Sequence, residues 1–413
     1  MDVNSILAQL SESPINLQSV WLRRKSPLSV PLLDVSLASP GYPPALELRQ
    51  FLASEVLRDN AATYTEVEGL LMLREAVAAK TSKLYNSSVD PREVTITSGC
   101  SEAFAVATMS IAERGDEILL PVPYYFGHDM WLRAAGIRPV YVTLESDASF
   151  EGLERRLRAY LSSRTRALVL VTPNNPTGEN YSPALIEHCF HFCQEYGIAL
   201  ILDETYRDLR VDHTAPHGLF SKPRWRDVLI QLCSYSKVYS LTGYRIGSIV
   251  CGDPVREQII KLLEAITICP ARLSQLAAWF GLQFLDGWCH ERALEIEKLR
   301  NEFGELMRRA STGFDVVSYG TCFAYVRHPF KNLDSRTVSK AMLEEQNVLT
   351  VPGGVFGSGQ EAFLRVSFAN LASKQLSDLV SRMKLFEERT GLPMTSKSSM
   401  TMSRSPSETA AVD

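Results

Sequence analysis

Ser234 to Gly247 reads SYSKVYSLTGYRIG, and it begins where the strand-forming run VLIQLC (228–233) stops. A lysine, Lys237, closes the SYSK turn, and an arginine, Arg245, follows within the same loop. A solvated basic pair in a surface turn would need no explanation. A lysine at the C-terminal end of a buried strand, followed at once by an arginine and flanked by hydroxyl residues, points instead to covalent chemistry beside a bound anion.

Upstream of this stretch the chain alternates between two periodicities. Short apolar, β-branched runs occur at VTIT (94–97), EILLPV (117–122), PVYVTL (139–144), RALVLVT (166–172) and IALILD (198–203), and RIGSIVC (245–251) follows VLIQLC. Helical patterns such as SEAFAVATMSIAERG and SPALIEHCFHFCQEYG separate most of them. Strand–helix alternation predicts an α/β fold with a seven-stranded, mostly parallel sheet covered by helices on both faces. Runs that are apolar throughout, such as LVLVT, suit strands buried on both sides. Ligands on such sheets collect at the C-terminal strand ends. Polar clusters fall there one after another: TSGCS, PYY, TPNNPTG, DETY and SYSK.

The expected organisation is an N-terminal segment (1–45) joining a smaller domain, a large domain (46–290), a small C-terminal α/β domain (291–391) and a disordered tail (392–413) rich in Ser, Thr and Met. The 413 residues suit two or three domains at ~100–200 residues each. A hydrophobic fraction of 45%, a charged fraction of 22% and a net charge of −4 are ordinary globular values and give no electrostatic case for nucleic acid or an anionic membrane. No apolar run reaches the ~18 residues of a membrane span. The first residues, MDVNSILAQLSESP, lack the basic-then-apolar pattern of a secretory signal. Eight scattered cysteines without a CxxC pair read as free thiols in a reducing compartment, with no metal site, so a cytoplasmic location is expected.

A nucleophilic lysine needs a lowered pKa and a held carbonyl partner. Pyridoxal 5′-phosphate supplies the carbonyl, provided the protein offers a phosphate cradle, a carboxylate for the pyridine nitrogen, donors for the ring hydroxyl and an aromatic platform. All four residue types stand at the strand ends. From about residue 34 to 388 the chain resembles the class I/II pyridoxal-phosphate-dependent aminotransferases of the aspartate aminotransferase fold (fold type I). The resemblance rests on the order and spacing of YTEVEGLLMLREA, TSGCS, NNPTG, DETY, SYSK with TGYRIG, CPARLSQLA, VPGGVFG and FLRVSF.

That resemblance implies roles. Lys237 would hold the cofactor as a Schiff base and, once freed, shuttle a proton. Asp203 would pair with the pyridine nitrogen and keep the ring an electron sink. Tyr206 and Asn175 would donate to the ring oxygen, and Tyr125 would stack on the ring. Gly99, Cys100 and Ser101, at the start of a helix, would cradle the phosphate with Ser234 and Arg245. Tyr64 would reach the phosphate of a neighbouring subunit, which implies a homodimer with shared active sites. Arg365 would fork onto the substrate α-carboxylate with help from Asn175. Asn174 is left as a turn residue, and Tyr124 as packing elsewhere.

Three features depart from the family pattern. The usual GxPD-like N-terminal segment reads SLASPGYPPAL here, which leaves its glycine unplaced. PYYFG is similar to the aminocyclopropane-carboxylate synthases, so a lyase or cyclase on the same fold is the alternative to transamination. Arg272 in CPARLSQLA is unusual, either a helix cap or a contact to a substrate acid. A pyridoxal-phosphate-fold binding module is the third reading, and the presence of Lys237, Asp203 and Arg365 together counts against it. The expected substrates are an amino acid with a neutral, hydrophobic or aromatic side chain and a 2-oxo acid, with Tyr42 and Tyr125 near the pocket.

Overall fold

The computed structural model describes residues 3–144, 150–212 and 214–393; the expected disordered tail lies outside the described residues from 394 onward. Seven strands form the central sheet: β1 (Val94–Thr97), β2 (Glu117–Val122), β3 (Arg138–Thr143), β4 (Thr165–Val171), β5 (Ala199–Asp203), β6 (Leu229–Ser234) and β7 (Gly247–Val250). Their spatial order is β1-β7-β6-β5-β4-β2-β3. The pairs from β6 through β5, β4 and β2 to β3 are parallel, and β7 runs antiparallel to both β6 and β1.

Side chains alternate across this sheet. Leu168, Leu170, Leu200 and Leu202 enter one core with Phe190, Leu219 and Tyr239. Ala167, Val169, Ile201 and Ile230 enter another with Phe104, Leu132 and Ile259. Period-two alternation therefore feeds two apolar layers, which explains why these strands carry no polar face.

RIGSIVC was expected to be a strand from 245, but β7 starts at Gly247. Arg245 has φ +51, in the left-handed region, so it cannot belong to a strand, and the turn it makes keeps its side chain at the loop.

A second, four-stranded antiparallel sheet comprises β8 (Asp315–Gly320), β9 (Phe323–Arg327), β10 (Val351–Pro352) and β11 (Phe363–Ser367), in the order β10-β11-β9-β8. It packs with the long helix Asp286–Ala310 and the helix Ser373–Arg389 around Phe303, Phe323, Phe368 and Phe386. The N-terminal segment is tied to this second layer. Leu33–Asp34 pairs in parallel with Val348–Leu349, Arg382 donates to the Pro31 carbonyl at 2.7 Å, and Asn370 donates to the Asp34 carbonyl at 2.7 Å. At the other end the chain stays held through Pro393, whose carbonyl accepts from the Lys331 N–H at 2.7 Å. No helix among the described residues is long and apolar enough to cross a membrane.

Candidate active site

A cavity of about 180 Å³ opens at the C-terminal ends of β4, β5 and β6. Two helices point their first turns at it: α1 (Cys100–Ile111) and α2 (Phe126–Ala135). Cys100, Ser101, Tyr125, Asn175, Asp203, Tyr206, Ser234, Lys237 and Arg245, nine of the residues singled out from the sequence, line it together.

Asp203 is the last residue of β5 and is buried. Its Oδ2 faces His128 Nε2 at 3.2 Å, and its Oδ1 accepts from the Thr205 N–H at 3.0 Å and the Cys100 thiol at 3.6 Å. Burial alone would raise its pKa; the hydrogen bond and charge of His128, with the donors of Thr205, outweigh it and hold the carboxyl below its usual range. Asp203 thus arrives ionised at an apolar strand end, fit to face a cation.

His128 was missed from sequence. It stands three residues, about one helical turn, beyond Tyr125 on α2, is buried, and stacks on Phe104 with centroids 3.8 Å apart. Its placement after a ring-stacking tyrosine was the only signal, and a lone histidine gives no reason to look there.

Lys237 sits in the single helical turn Tyr235–Val238 after β6, whose start is capped by Ser234 Oγ accepting from the Ser236 N–H at 3.2 Å. Burial, then the nearby charges of Arg365 and Arg245, push its amine down to about 8, against partial opposition from the Cys322 and Cys100 thiols. An amine with that pKa is about half unprotonated at pH 8 and about one-tenth at pH 7, so it supplies far more of the nucleophilic free base than an ordinary lysine does.

The far end of the cavity is cationic and rich in N–H groups. Gly99 caps α1 at φ +89, and a Cβ there would lie 2.6 Å from Arg245 Nη2. A side chain at 99 would therefore push the guanidinium away from the helix start. Gly247, the last residue of the SYSK–TGYRIG stretch, is equally constrained, because a Cβ there would lie 2.9 Å from the Cys100 N. Arg245 donates to the Thr242 carbonyl at 3.1 Å and has no carboxylate partner among the described residues. A helix N-terminus with an unpaired guanidinium is an anion site of phosphate size.

Arg365 lies in the middle of β11, buried, between the rings of Phe323 (4.9 Å) and Phe356 (5.5 Å). Its Nη1 donates to Asn175 Oδ1 at 2.8 Å and its Nη2 to the Ser36 carbonyl at 2.6 Å, while its Nε is buried without a partner. Burial lowers its pKa, with the charge of Asp34 among the partial offsets, and no carboxylate among the described residues forms an ion pair with it.

The remaining expectations divide. Tyr124 stacks on Tyr141 at 5.3 Å while Tyr125 faces the cavity. Asn174 Oδ1 accepts from the N–H and hydroxyl of Thr177, which makes it the clasp of the NNPTG turn. The uncertain SLASPGYPP segment brings Ala38 to the cavity wall, where its carbonyl accepts from Tyr206 Oη at 3.2 Å. Tyr42 does not line the cavity: its ring meets Trp288 edge-on at 5.4 Å and lies under the Arg292 guanidinium at 5.6 Å. Tyr64 stands 77% exposed, away from this cavity. Arg272 begins the helix Arg272–Phe284, half-buried, with Nη1 3.5 Å from Thr63 Oγ1. All eight cysteines are free.

The sequence model of the aminotransferase class I and II family matches residues 45–383, and the chain belongs to that family. It is 30% identical over 338 residues to the probable N-acetyl-LL-diaminopimelate aminotransferase of Bacillus subtilis, covering 81% of this chain and 84% of the relative. It is 27% identical to aromatic-amino-acid aminotransferase 2 of Thermococcus litoralis, over 87% of this chain and 92% of the relative. Among solved structures, the aromatic aminotransferase of Pyrococcus horikoshii superposes with a TM-score of 0.79 at 25% identity, covering 90% of this chain and 99% of the other. The protein is a pyridoxal-phosphate-dependent transferase of fold type I.

The cavity fits that cofactor from end to end: an amine at Lys237, a fixed carboxylate at Asp203, and an N–H-rich cationic end at Gly99–Ser101 and Arg245. The lowered lysine pKa has a direct consequence. Covalent loading of the cofactor-free protein should speed up as pH rises, with a midpoint near 8 and a plateau above it, when followed by absorbance. A midpoint near the ordinary lysine value of 10.5 would show that the amine is not desolvated in this way.

Proposed function

We propose that this aminotransferase moves the amino group of a neutral amino acid, hydrophobic or aromatic, to a 2-oxo acid, with Lys237 as the covalent attachment point of the cofactor. The observation that carries the reading is the convergence of Lys237 and Asp203 on one cavity, at whose edge the buried Arg365 lacks an anion.

When bound, the cofactor would supply an electron sink for the substrate's Cα–H bond. The chain's own residues do the rest. Asp203, kept ionised by His128 and Thr205, offers a negative charge to the cavity, where it would stabilise a protonated ring nitrogen. Ser101, Ser234 and Arg245 hold the phosphate end. Tyr206 and Asn175 face the cavity between these ends, placed to donate to the ring hydroxyl, and Tyr125 supplies the flat wall. Arg365, oriented by Asn175 and Ser36, takes the α-carboxylate and so fixes which bond at Cα faces Lys237. Lys237 Nζ, whose lowered pKa leaves about half of it unprotonated at pH 8, accepts the Cα proton and returns it on the other side of the transfer.

The neutral side chain follows from a count of cations. Lys237 and Arg245 line the cavity and Arg365 borders it, and each has an assigned task. A substrate side-chain carboxylate would need another, because an unpaired carboxylate in a closed site is costly. Arg272 is turned toward Thr63 on the exposed Tyr64 side. The rings of Phe323 and Phe356 against Arg365 favour an apolar neighbour. The named relatives include both aromatic and aspartate aminotransferases, so their names do not decide between the classes.

The homodimer reading is supported by an exposed apolar surface at Val56, Leu57, Tyr64, Leu71, Ile266 and Ile268. Pairing would bury these groups and bring Tyr64 to a second cavity. The free thiols support a reducing, cytoplasmic setting, and the two sheets with their separate cores support the division into a large and a small domain.

Two measurements test this account. The kcat/KM for phenylalanine, leucine or methionine should exceed that for aspartate by roughly 100-fold, with a 2-oxo acid as product. Preference for aspartate that disappears in Arg272→Ala would overturn it, and release of ammonia or a thiol would indicate the lyase alternative. In addition, mixing inactive Tyr64→Ala and Lys237→Ala proteins should restore part of the activity through hybrid dimers; a fully active monomer would exclude shared sites.

A further inference from the structure

Gly178 and Gly320 meet backbone to backbone where the two sheets' parts join. A Cβ at Gly320 would lie 2.2 Å from the Gly178 O and 2.8 Å from its C, and a Cβ at Gly178 would lie 2.4 Å from the Gly320 O and 2.5 Å from its N. Both sides of this contact are main chain, so no flexible side chain can move aside. Next to it, Ser318 Oγ donates to the Thr177 carbonyl at 3.1 Å.

Each glycine lies on a rigid path to one half of the Asn175–Arg365 pair. On one side, the Asn174 side chain clasps Thr177, and the Gly178 N–H donates to the Asn174 carbonyl at 2.8 Å, so the loop that presents Asn175 moves as a unit. On the other, Gly320 ends β8 opposite Phe323 of β9, and Tyr325 of β9 is in register with Arg365 of β11. The next residue, Thr321, is held at φ +44 although it is β-branched. That conformation is strained for such a residue, and the strain is kept at the contact.

We propose that Gly320 is a positioning residue for substrate binding. Its missing side chain lets the four-stranded sheet approach the NNPTG loop closely enough for Asn175 to orient the Arg365 guanidinium toward a carboxylate. The proposal rests on the carboxylate role of Arg365. A Cβ at 320 needs roughly 1 Å more space to reach ordinary contact, and the 2.8 Å Asn175–Arg365 hydrogen bond does not survive a separation of that size. Gly320 does not have a positive φ, so alanine there tests the close approach without adding backbone strain.

The experiment compares holoenzyme kinetics and cofactor affinity for the wild type, Gly320→Ala, Arg365→Gln and the double variant, using the amino acid with the highest kcat/KM. Gly320→Ala is expected to raise KM roughly 10-fold with a much smaller change in kcat. Cofactor affinity, which rests mainly on Lys237, Asp203 and the phosphate end, should stay near the wild-type value. In the Arg365→Gln background the same alanine should add no further rise in KM, since the geometry it spoils is no longer used. An unchanged KM in Gly320→Ala, or an equal rise in both backgrounds, overturns the proposal while leaving Arg365 in its role. An unchanged KM in Arg365→Gln overturns the carboxylate role and this proposal with it. Should Gly320→Ala fail to fold, Ser318→Ala weakens the same contact without a steric clash. It should raise KM roughly 3-fold through loss of one hydrogen bond, and an unchanged KM there is equally decisive against the proposal.

Discussion

Charge that is desolvated and only partly compensated, gathered at one cavity, is the constraint on which this molecule turns. An unpaired buried ion costs several kcal/mol, so a fold keeps one only where a ligand compensates for it. The protein has three desolvated, incompletely compensated groups at or beside one cavity. Asp203 meets its donors in His128 and Thr205 and still presents a negative edge to the cavity. Arg365 has amide and carbonyl partners but no anion. Lys237 answers the same desolvation by giving up its proton more readily, and its pKa falls to about 8. A ligand that brings a cation to Asp203, an electrophile to Lys237 and a carboxylate to Arg365 neutralises all three.

The sheet topology makes this arrangement possible. Parallel strands β4, β5 and β6 end on one edge, so Val171, Asp203 and Ser234 arrive there together. The next strand in the chain, β7, is antiparallel to β6 and adjacent to it. The connection from Tyr235 to Ile246 therefore folds back across the same edge, and it carries both Lys237 and Arg245 to one cavity. The second sheet contributes Arg365 from above, and the N-terminal segment, fastened to that sheet by Leu33–Asp34, supplies the carbonyls of Ser36 and Ala38.

Much of this was legible in the sequence because burial leaves a periodic trace. VTIT and EILLPV coincide with β1 and β2 since Val94, Ile96 and Leu119 enter one apolar layer and Ile118 and Leu120 the other. The polar clusters after the strands were readable for the same reason, as abrupt interruptions of an apolar pattern. What escaped notice lacks such a trace. His128 is one polar residue on an amphipathic helix, and its meaning comes from a strand 75 positions later. Gly320 acts through main-chain proximity, which no side-chain pattern records. Ala38 lies in an irregular segment whose position depends on pairing with residues more than 300 positions away. Tyr42 misled in the opposite sense: it belongs to the same SLASPGYPP segment, but Trp288 and Arg292 claim its ring.

The central claim is that Lys237 is the amine that carries the cofactor. Borohydride reduction of the holoenzyme, followed by proteolysis and mass spectrometry, addresses it directly. The account predicts one modified peptide, containing SYSK with the added mass on Lys237. Modification of any other lysine, or a cofactor that washes away after reduction, would contradict it.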